Sequence, residues 1–221
     1  NINTLVSAKL GDGQNLSSCT KIVFTSPSAE NGKSFVSRNL AENLSKVGNK
    51  VLLIDIDLKR GDQHKFFKRK TLTLNDFQNI SENNIDALQV KENLYLVPRL
   101  TRIKSSFEHL NSSIFSDKLK VFESIFDYII IDTAPILSVS DTGLLASVAD
   151  LNLLIIRHEL TKINEIKQSI NILEQLGKSF DGIIYNGYER PSGYYGYYDL
   201  YGDYSYRYYA ERYLYSDSYE E

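Results

Sequence analysis

The chain has 221 residues, 42% of them hydrophobic, which is enough to bury the core of one domain. A formal charge of −3 shows no global bias towards nucleic acid or an anionic membrane surface. The single cysteine, Cys19, excludes an intrachain disulfide framework and is typical of a reducing compartment. No apolar run approaches the roughly 20 residues that span a bilayer. Because the chain begins at Asn1 and contains no methionine, we expect a piece of a longer protein.

Short apolar segments alternate with helical patterns, which predicts parallel strands joined by crossover helices. The first strand is predicted at residues 21–25. A helix follows from Lys33, and Gly48 occupies its expected C-terminal cap position. Its predicted apolar stripe consists of Val36, Leu40, Leu44 and Val47.

The later elements repeat this alternation. Strands are predicted at 51–54, 94–97, 128–131, 151–156 and 180–185, and helices at 115–126, 141–149 and 161–176. The last helix has Ile166, Ile170 and Leu173 on its apolar side and Gly177 at its end. Residues 58–93 are polar and weakly periodic, so they are the least defined part. The pattern as a whole predicts a doubly wound, mostly parallel α/β sheet, which the phosphate-loop motif described below makes P-loop NTPase-like.

The composition changes after residue 189. Residues 190–221 contain few aliphatic side chains, and such a segment does not bury enough apolar surface to offset its ordering entropy. We therefore predict one α/β domain at 1–189 and a flexible, tyrosine-rich tail at 190–221. Of the 16 tyrosines in the chain, the tail contains Tyr194, Tyr195, Tyr197, Tyr198, Tyr201, Tyr204, Tyr206, Tyr208, Tyr209, Tyr213, Tyr215 and Tyr219.

The segment between the first strand and the first helix has the form of a phosphate-binding loop. Backbone N–H groups of such a loop and of the helix N-terminus converge on phosphate oxygens. The candidate ATP contacts are Ser28, Ala29, Glu30, Asn31, Gly32, Lys33, Ser34 and Phe35. Lys33 would reach the β- and γ-phosphates and Ser34 would offer its hydroxyl to Mg²⁺. Pro27 replaces the usual first glycine of the motif, and the alternative is a chance Gly-Lys-Ser at a helix start.

Acidic residues follow two of the predicted strands. Asp55 and Asp57 close the second strand, and residues two apart on a strand point the same way, so both carboxylates are expected to face one side. Capping of the next turn is the alternative for either one. Asp132 closes a strand of apolar residues, as a Walker B aspartate does when it holds Mg²⁺. The carboxyl ends of the strands are where ligands bind in doubly wound sheets.

These motifs resemble the bacterial tyrosine kinases that accompany capsule and exopolysaccharide synthesis. The resemblance rests on residues 26–34, 51–60 and 129–135 together with the terminal tyrosine cluster. It implies an ATP- and Mg²⁺-dependent kinase that phosphorylates its own tail, with Lys33, Asp55 and Asp57 as the catalytic residues. It makes Asp55 the candidate base and Ser34, Asp57 and Asp132 the metal residues. Asn186 lies where related ATPases contact adenine, although a turn residue in Asn186-Gly187 is an equal alternative.

The resemblance also implies partners: other copies of the chain, a phosphotyrosine phosphatase and a membrane-embedded chain-length regulator, fused upstream or separate. It implies a cytoplasmic domain of an inner-membrane protein. The arginine-rich helix that builds rings in this family has no counterpart in residues 1–18, where Lys9 is the one basic residue. No nucleic acid is expected, because residues 190–221 contain three arginines against six acidic residues.

Two rival functions use the same motifs. A partitioning or positioning ATPase would use ATP to dimerise, but such proteins carry an extra lysine early in the loop, where this chain has Ser28. A degenerate scaffold would bind ATP without transfer. Glu30, an acidic residue in a phosphate-binding loop, keeps that alternative open.

Overall fold

The computed structural model describes residues 19–101, 113–138 and 141–188. Its strands are β1 Thr20–Thr25, β2 Val51–Asp55, β3 Gln89–Lys91, β4 Leu94–Val97, β5 Tyr128–Asp132, β6 Leu151–Arg157 and β7 Gly182–Asn186. Its helices are α1 Lys33–Lys46, α2 Gln63–Phe66, α3 Leu74–Gln78, α4 Ser113–Glu123, α5 Asp141–Val148 and α6 Ile163–Gln175, with a 3₁₀ helix at Glu82–Leu88.

The seven strands form one sheet in the order β3-β4-β2-β5-β1-β6-β7. Every pairing is parallel except β3 with β4. This confirms the doubly wound, mostly parallel sheet. The register aligns Asp55 with Asp132 and Asp132 with Phe24, so the carboxyl ends of β2, β5 and β1 lie at one edge of the sheet.

Alternate residues of the central strands enter two apolar clusters, one on each face. On one face Ile22, Phe24 and Leu53 pack with α1. On the other face Val23 and Ile54 pack with α4 and α3. Because the central strands are covered on both faces, they are apolar throughout, as the sequence indicated.

The first helix differs from its predicted stripe at one residue. Val36, Leu40 and Leu44 are buried, but Val47 is 75% exposed. The helix ends at Lys46, so Val47 is the C-cap residue and no longer follows the helical spacing of the buried positions. Gly48 follows with φ 96° and donates its N–H to Ser45 O at 3.1 Å, which confirms the predicted cap.

The other differences lie in residues 58–93 and at the ends of elements: α4 spans Ser113–Glu123 rather than 115–126, and α6 spans Ile163–Gln175 rather than 161–176. Residues 58–93 contain α2, α3, the 3₁₀ helix and β3, none of which was predicted, because short elements carry too few residues for a period to be read. In α6 Leu173 is buried, while Ile166 and Ile170 are only half-buried. The last strand is Gly182–Asn186 rather than 180–185.

The chain divides into two units, Asn1–Gly187 and Tyr188–Glu221. All of the second unit except Tyr188 lies outside the described residues, and with it the predicted tail, its twelve tyrosines and the predicted boundary after residue 189. Residues 1–18 also lie outside them. In the part of the chain that the structure describes, no helix combines the length and apolar character needed to cross a bilayer.

Candidate nucleotide-binding site

The loop between β1 and α1 takes its shape from its own polar side chains. Asn31 is fully buried, and its Nδ2 donates to Ser28 O at 2.8 Å. Ser26 Oγ donates to the same carbonyl at 2.6 Å. Gly32, with φ 91°, stands at the N-cap of α1 and has no side chain to cap the helix. The first N–H groups of α1 are therefore left for a phosphate group.

Residues of β6, β7 and the turn after β6 brace this loop from outside. Asn186 Nδ2 donates to Asn31 O at 2.9 Å, Arg157 donates to Glu30 O at 3.0 Å, and the Thr161 hydroxyl donates to Asn31 Oδ1. A Cβ on Gly32 would lie 2.1 Å from Asn186 Nδ2. Neither Arg157 nor Thr161 was predicted, because their partners are more than 100 residues away. The predicted contact of Asn186 with adenine stays a prediction, and the structure gives its amide a partner in the loop.

The acidic residues lie at the carboxyl ends of β2 and β5. Asp55 and Asp132 end their strands as cross-strand neighbours and are buried. β2 ends at Asp55, so Asp57 lies in the following turn, where its Oδ1 accepts hydrogen bonds from the N–H groups of Arg60 at 2.8 Å and Lys59 at 3.2 Å. The predicted strand is therefore two residues too long, and Asp57 caps the next turn, the alternative that the sequence left open. Its charge still acts on Lys33 together with those of Asp55 and Asp132.

Lys33 lies close enough to all three carboxylates to interact with their charges. Burial lowers the pKa of Lys33, while the charges of Asp132, Asp57 and Asp55 raise it. Burial in turn raises the pKa of Asp55 well above its usual 3.8. Burial likewise raises the pKa of Asp132, against the hydrogen bond from Gln63, the nearby Ser34 hydroxyl and the charge of Lys33. One ammonium group thus faces three buried carboxylates, an arrangement suited to a bound cation or a phosphate–metal complex.

Two further residues, Gly61 and the first residue of α2, Gln63, were missed by sequence reasoning and complete this arrangement. Gln63 Nε2 donates to Asp132 Oδ2 and to Ser34 O, both at 2.9 Å, and its backbone N–H donates to Asp55 Oδ2 at 3.1 Å. A Cβ on Gly61 would lie 2.3 Å and 2.6 Å from the two carboxyl oxygens of Asp55. Gly61 could have been suspected as a glycine close behind an acidic motif. Gln63 lies in the weakly periodic region and has no signal of its own.

The residues present fit a hard cation. Asp132 Oδ1 is buried and has no hydrogen-bond partner among the described residues, so it is available as a ligand. The Ser34 hydroxyl lies beside the same carboxylate. Within the described ranges no group of three or more His, Cys, Asp or Glu side chains forms a metal cluster. Mg²⁺ binds through one or two carboxylates together with water and phosphate oxygens, and Asp132 offers one such carboxylate.

The other residues that were predicted to contact ATP lie in the loop before α1 and in its first turn. Ser28 and Ala29 supply carbonyl oxygens to Asn31 within the loop, and Glu30 has φ 65°. Phe35 is 58% exposed at the start of α1. The twelve tail tyrosines lie outside the described residues.

Comparisons with known proteins agree with this geometry. The profile of the AAA domain family matches residues 20–185. The tyrosine-protein kinase CpsD of Streptococcus pneumoniae is 32% identical over 193 residues, which cover 83% of this chain and 82% of that protein. The tyrosine-protein kinase ptk of Acinetobacter johnsonii is 37% identical over 176 residues, which cover 77% of this chain but only 24% of that protein. This chain thus spans about a quarter of that longer relative.

A solved structure shares the fold. The kinase domain of the Escherichia coli tyrosine kinase ETK superimposes with a TM-score of 0.72 at 26% identity, covering 87% of this chain and 76% of that one. Together these likenesses confirm the resemblance that the motifs indicated.

Proposed function

We propose that this chain, which belongs to the family of bacterial tyrosine-protein kinases and contains an AAA domain, transfers the γ-phosphate of ATP to tyrosines of its own segment 190–221. The observation that carries the proposal is the position of Lys33, which is buried at the start of α1 and close enough to Asp55, Asp57 and Asp132 to feel their charges. This arrangement supplies what phosphoryl transfer needs, namely charge neutralisation and a fixed geometry.

In the proposed reaction the loop before α1 binds the phosphates. Backbone N–H groups of that loop and the Lys33 ammonium hold the β- and γ-phosphates. Ser34, Asp57 and Asp132 would hold Mg²⁺, which would neutralise charge on the phosphate oxygens. Each of these groups acts through position and charge, because the protein has little covalent chemistry to perform.

Asp55 acts as the base for the attacking tyrosine. The phenol proton passes to the Asp55 carboxylate, the phenolate oxygen bonds to the γ-phosphorus, and the bond from that phosphorus to the bridging oxygen breaks, which releases ADP. Burial raises the pKa of Asp55, so its carboxylate is a stronger base for a phenol of pKa about 10 than an exposed carboxylate would be. Asp57 would assist at the metal while it caps the turn that precedes Gly61 and α2.

The first test is mass spectrometry of the purified chain after incubation with Mg²⁺ and ATP. We expect phosphate on tyrosines of residues 190–221, and a loss of rate of at least about 100-fold in Lys33→Met, since charge stabilisation by one group in a dry site is of that order. Lys46→Met, an exposed lysine at the end of the same helix, is the matched control and should retain activity.

The outcome also decides between the rivals. Release of free phosphate without phosphotyrosine would support a partitioning-type ATPase, and nucleotide binding without either product would support a scaffold. Against the ATPase, the position of its extra lysine holds Ser28, whose carbonyl accepts hydrogen bonds from Ser26 and Asn31 and so shapes the loop.

Transfer between subunits is the second part of the proposal. Lys33→Met chains serve as the substrate, and an active full-length chain with all twelve tail tyrosines changed to phenylalanine serves as the enzyme. Phosphotyrosine on the Lys33→Met chain is expected. Its absence, while unaltered chains alone still label themselves, would show that the tail is phosphorylated only within its own subunit.

The proposed setting is capsule or exopolysaccharide synthesis at the cytoplasmic face of the inner membrane. The partners are other copies of the chain, a membrane-embedded chain-length regulator and a phosphotyrosine phosphatase. Each phosphate adds about −1.5 to −2 charges to the tail, and several together loosen the assembly by repulsion.

A further inference from the structure

Gln63 is a fully buried amide between the two acidic strand ends. Three acceptors lie within hydrogen-bond distance of its Nε2: Asp132 Oδ2 and Ser34 O, both at 2.9 Å, and Ser37 Oγ at 3.4 Å. These acceptors determine which end of the amide is nitrogen, because the reversed orientation would place an oxygen against the Asp132 carboxylate and the Ser34 carbonyl. The Gln63 side chain therefore fastens Asp132 to the first turn of α1.

Two buried oxygens in this cluster have no hydrogen-bond partner among the described residues. They are Gln63 Oε1 and Asp132 Oδ1, and the Gln63 Nε2–Asp132 Oδ2 hydrogen bond joins the two side chains that carry them. Buried acceptors without a donor are costly, and they are rare in folded proteins unless a water molecule or an ion serves them. Both atoms are acceptors, so the missing group is a donor or a cation.

We propose that Gln63 is a positioning residue of the magnesium site, which fastens Asp132 through Oδ2 so that Oδ1 stays open to the cation. Its own Oε1 accepts a hydrogen bond from water of the cation's hydration shell. Mg²⁺ retains several of its waters in proteins, so an amide oxygen beside the carboxylate ligand has a partner once the cation is bound. This inference rests on the proposed function of the same site.

The backbone of Gln63 extends the effect to the candidate base. Its N–H donates to Asp55 Oδ2, and Gly61 lies against both oxygens of that carboxylate. Gln63 therefore contacts the carboxylates of both Asp132 and Asp55, so a shift of this residue would affect both. Outer groups of this kind orient metal ligands and are worth about 10- to 100-fold in metal affinity.

The test measures binding of N-methylanthraniloyl-ADP to the full chain at increasing Mg²⁺ concentration. Gln63→Met keeps the length and volume of the side chain but removes the amide, and Gln63→Leu is the second variant if the first folds poorly. Gln168→Leu, an exposed glutamine on α6, is the control. For the Gln63 variants we expect about a tenfold rise in the Mg²⁺ concentration that gives half-maximal binding, with metal-free affinity within about twofold of wild type.

Each outcome has one meaning. A Mg²⁺ requirement unchanged within twofold overturns the inference. An equal loss of affinity with and without Mg²⁺ also overturns it, since that loss would reflect a disturbed loop rather than a cation effect. If the wild-type chain shows no Mg²⁺-dependent nucleotide binding at all, the proposed function fails and this inference with it.

Discussion

The candidate site is built from two loops that satisfy their polar groups in opposite ways. In the phosphate loop, residues 26–32, the buried amide of Asn31 and the carbonyl groups beside it are paired within the loop or with β6 and β7. In the acidic loop, residues 55–63, the buried carboxylate of Asp55 lies beside Asp132 at the end of β5. Asp132 Oδ1 has no hydrogen-bond partner among the described residues. The first loop pairs its buried polar groups by itself, while the second holds charges that a cation would stabilise. Changes in the two loops should therefore affect stability in opposite directions.

The largest expected effect is a loss of stability in the phosphate loop. Gly32→Ala should lower the free energy of unfolding by about 2–4 kcal/mol, because a Cβ is strained at φ 91° and also displaces Asn186 from its hydrogen bond. Urea unfolding measures this loss of stability. Gly48→Ala is the matched control: its φ is 96°, but no atom lies within 4 Å of its added Cβ. Equal losses in the two variants would show that the contact with Asn186 is unimportant.

The acidic loop should respond in the opposite sense. Asp132→Asn should raise the free energy of unfolding of the ligand-free chain by about 1–3 kcal/mol, because it removes a buried charge beside Asp55. The same change should weaken Mg²⁺-dependent nucleotide binding by at least about tenfold. Asp117→Asn, which removes a charge from an exposed pair with Lys120, should change stability by less than about 0.5 kcal/mol. A lower free energy of unfolding in Asp132→Asn than in the wild type would contradict the expected difference between the two loops.

The pH dependence of stability sharpens the same contrast. The pKa values of Asp55 and Asp132 are raised in the folded protein, so the folded state binds more protons than the unfolded state above the ordinary value of 3.8. Stability from these two groups is therefore greatest at low pH and is lost as pH rises from 3.8 through the raised values. Unfolding of wild type and Asp132→Asn at several pH values should show a smaller fall in the variant. Parallel curves would contradict the prediction.

The smallest expected effect concerns the brace on the phosphate loop. Asn186→Ala should cost about 1 kcal/mol of stability, since it removes one hydrogen bond, donated by Asn186 Nδ2 to Asn31 O at a half-buried position. Asn171→Ala, at an exposed position of α6, is the control. A loss of nucleotide affinity much greater than the loss of stability would instead favour the predicted contact of Asn186 with adenine.

Local patterns were sufficient for the parts of the fold with strong periodicity. The central strands β2, β5 and β6 were predicted to within one residue at each end, because they are buried on both faces and read as continuous apolar runs. The strand–loop–helix context of Lys33 and the acidic ends of β2 and β5 were also visible. The exposure of Val47, the strand β3 and the short helices were not visible in the sequence. Single-turn elements and helix ends depend on contacts rather than on periodicity.

By itself, then, the sequence determined a parallel α/β sheet with a lysine, a serine and three aspartates near the carboxyl ends of its strands. Only the tertiary structure decided that Asp55 and Asp132 are direct neighbours, that Asp57 caps a turn, and that Gln63, Gly61, Arg157 and Thr161 complete the site. The physical reason is that periodicity reports which face of an element is buried, whereas strand order and long-range hydrogen bonds bring together residues that are distant in the chain.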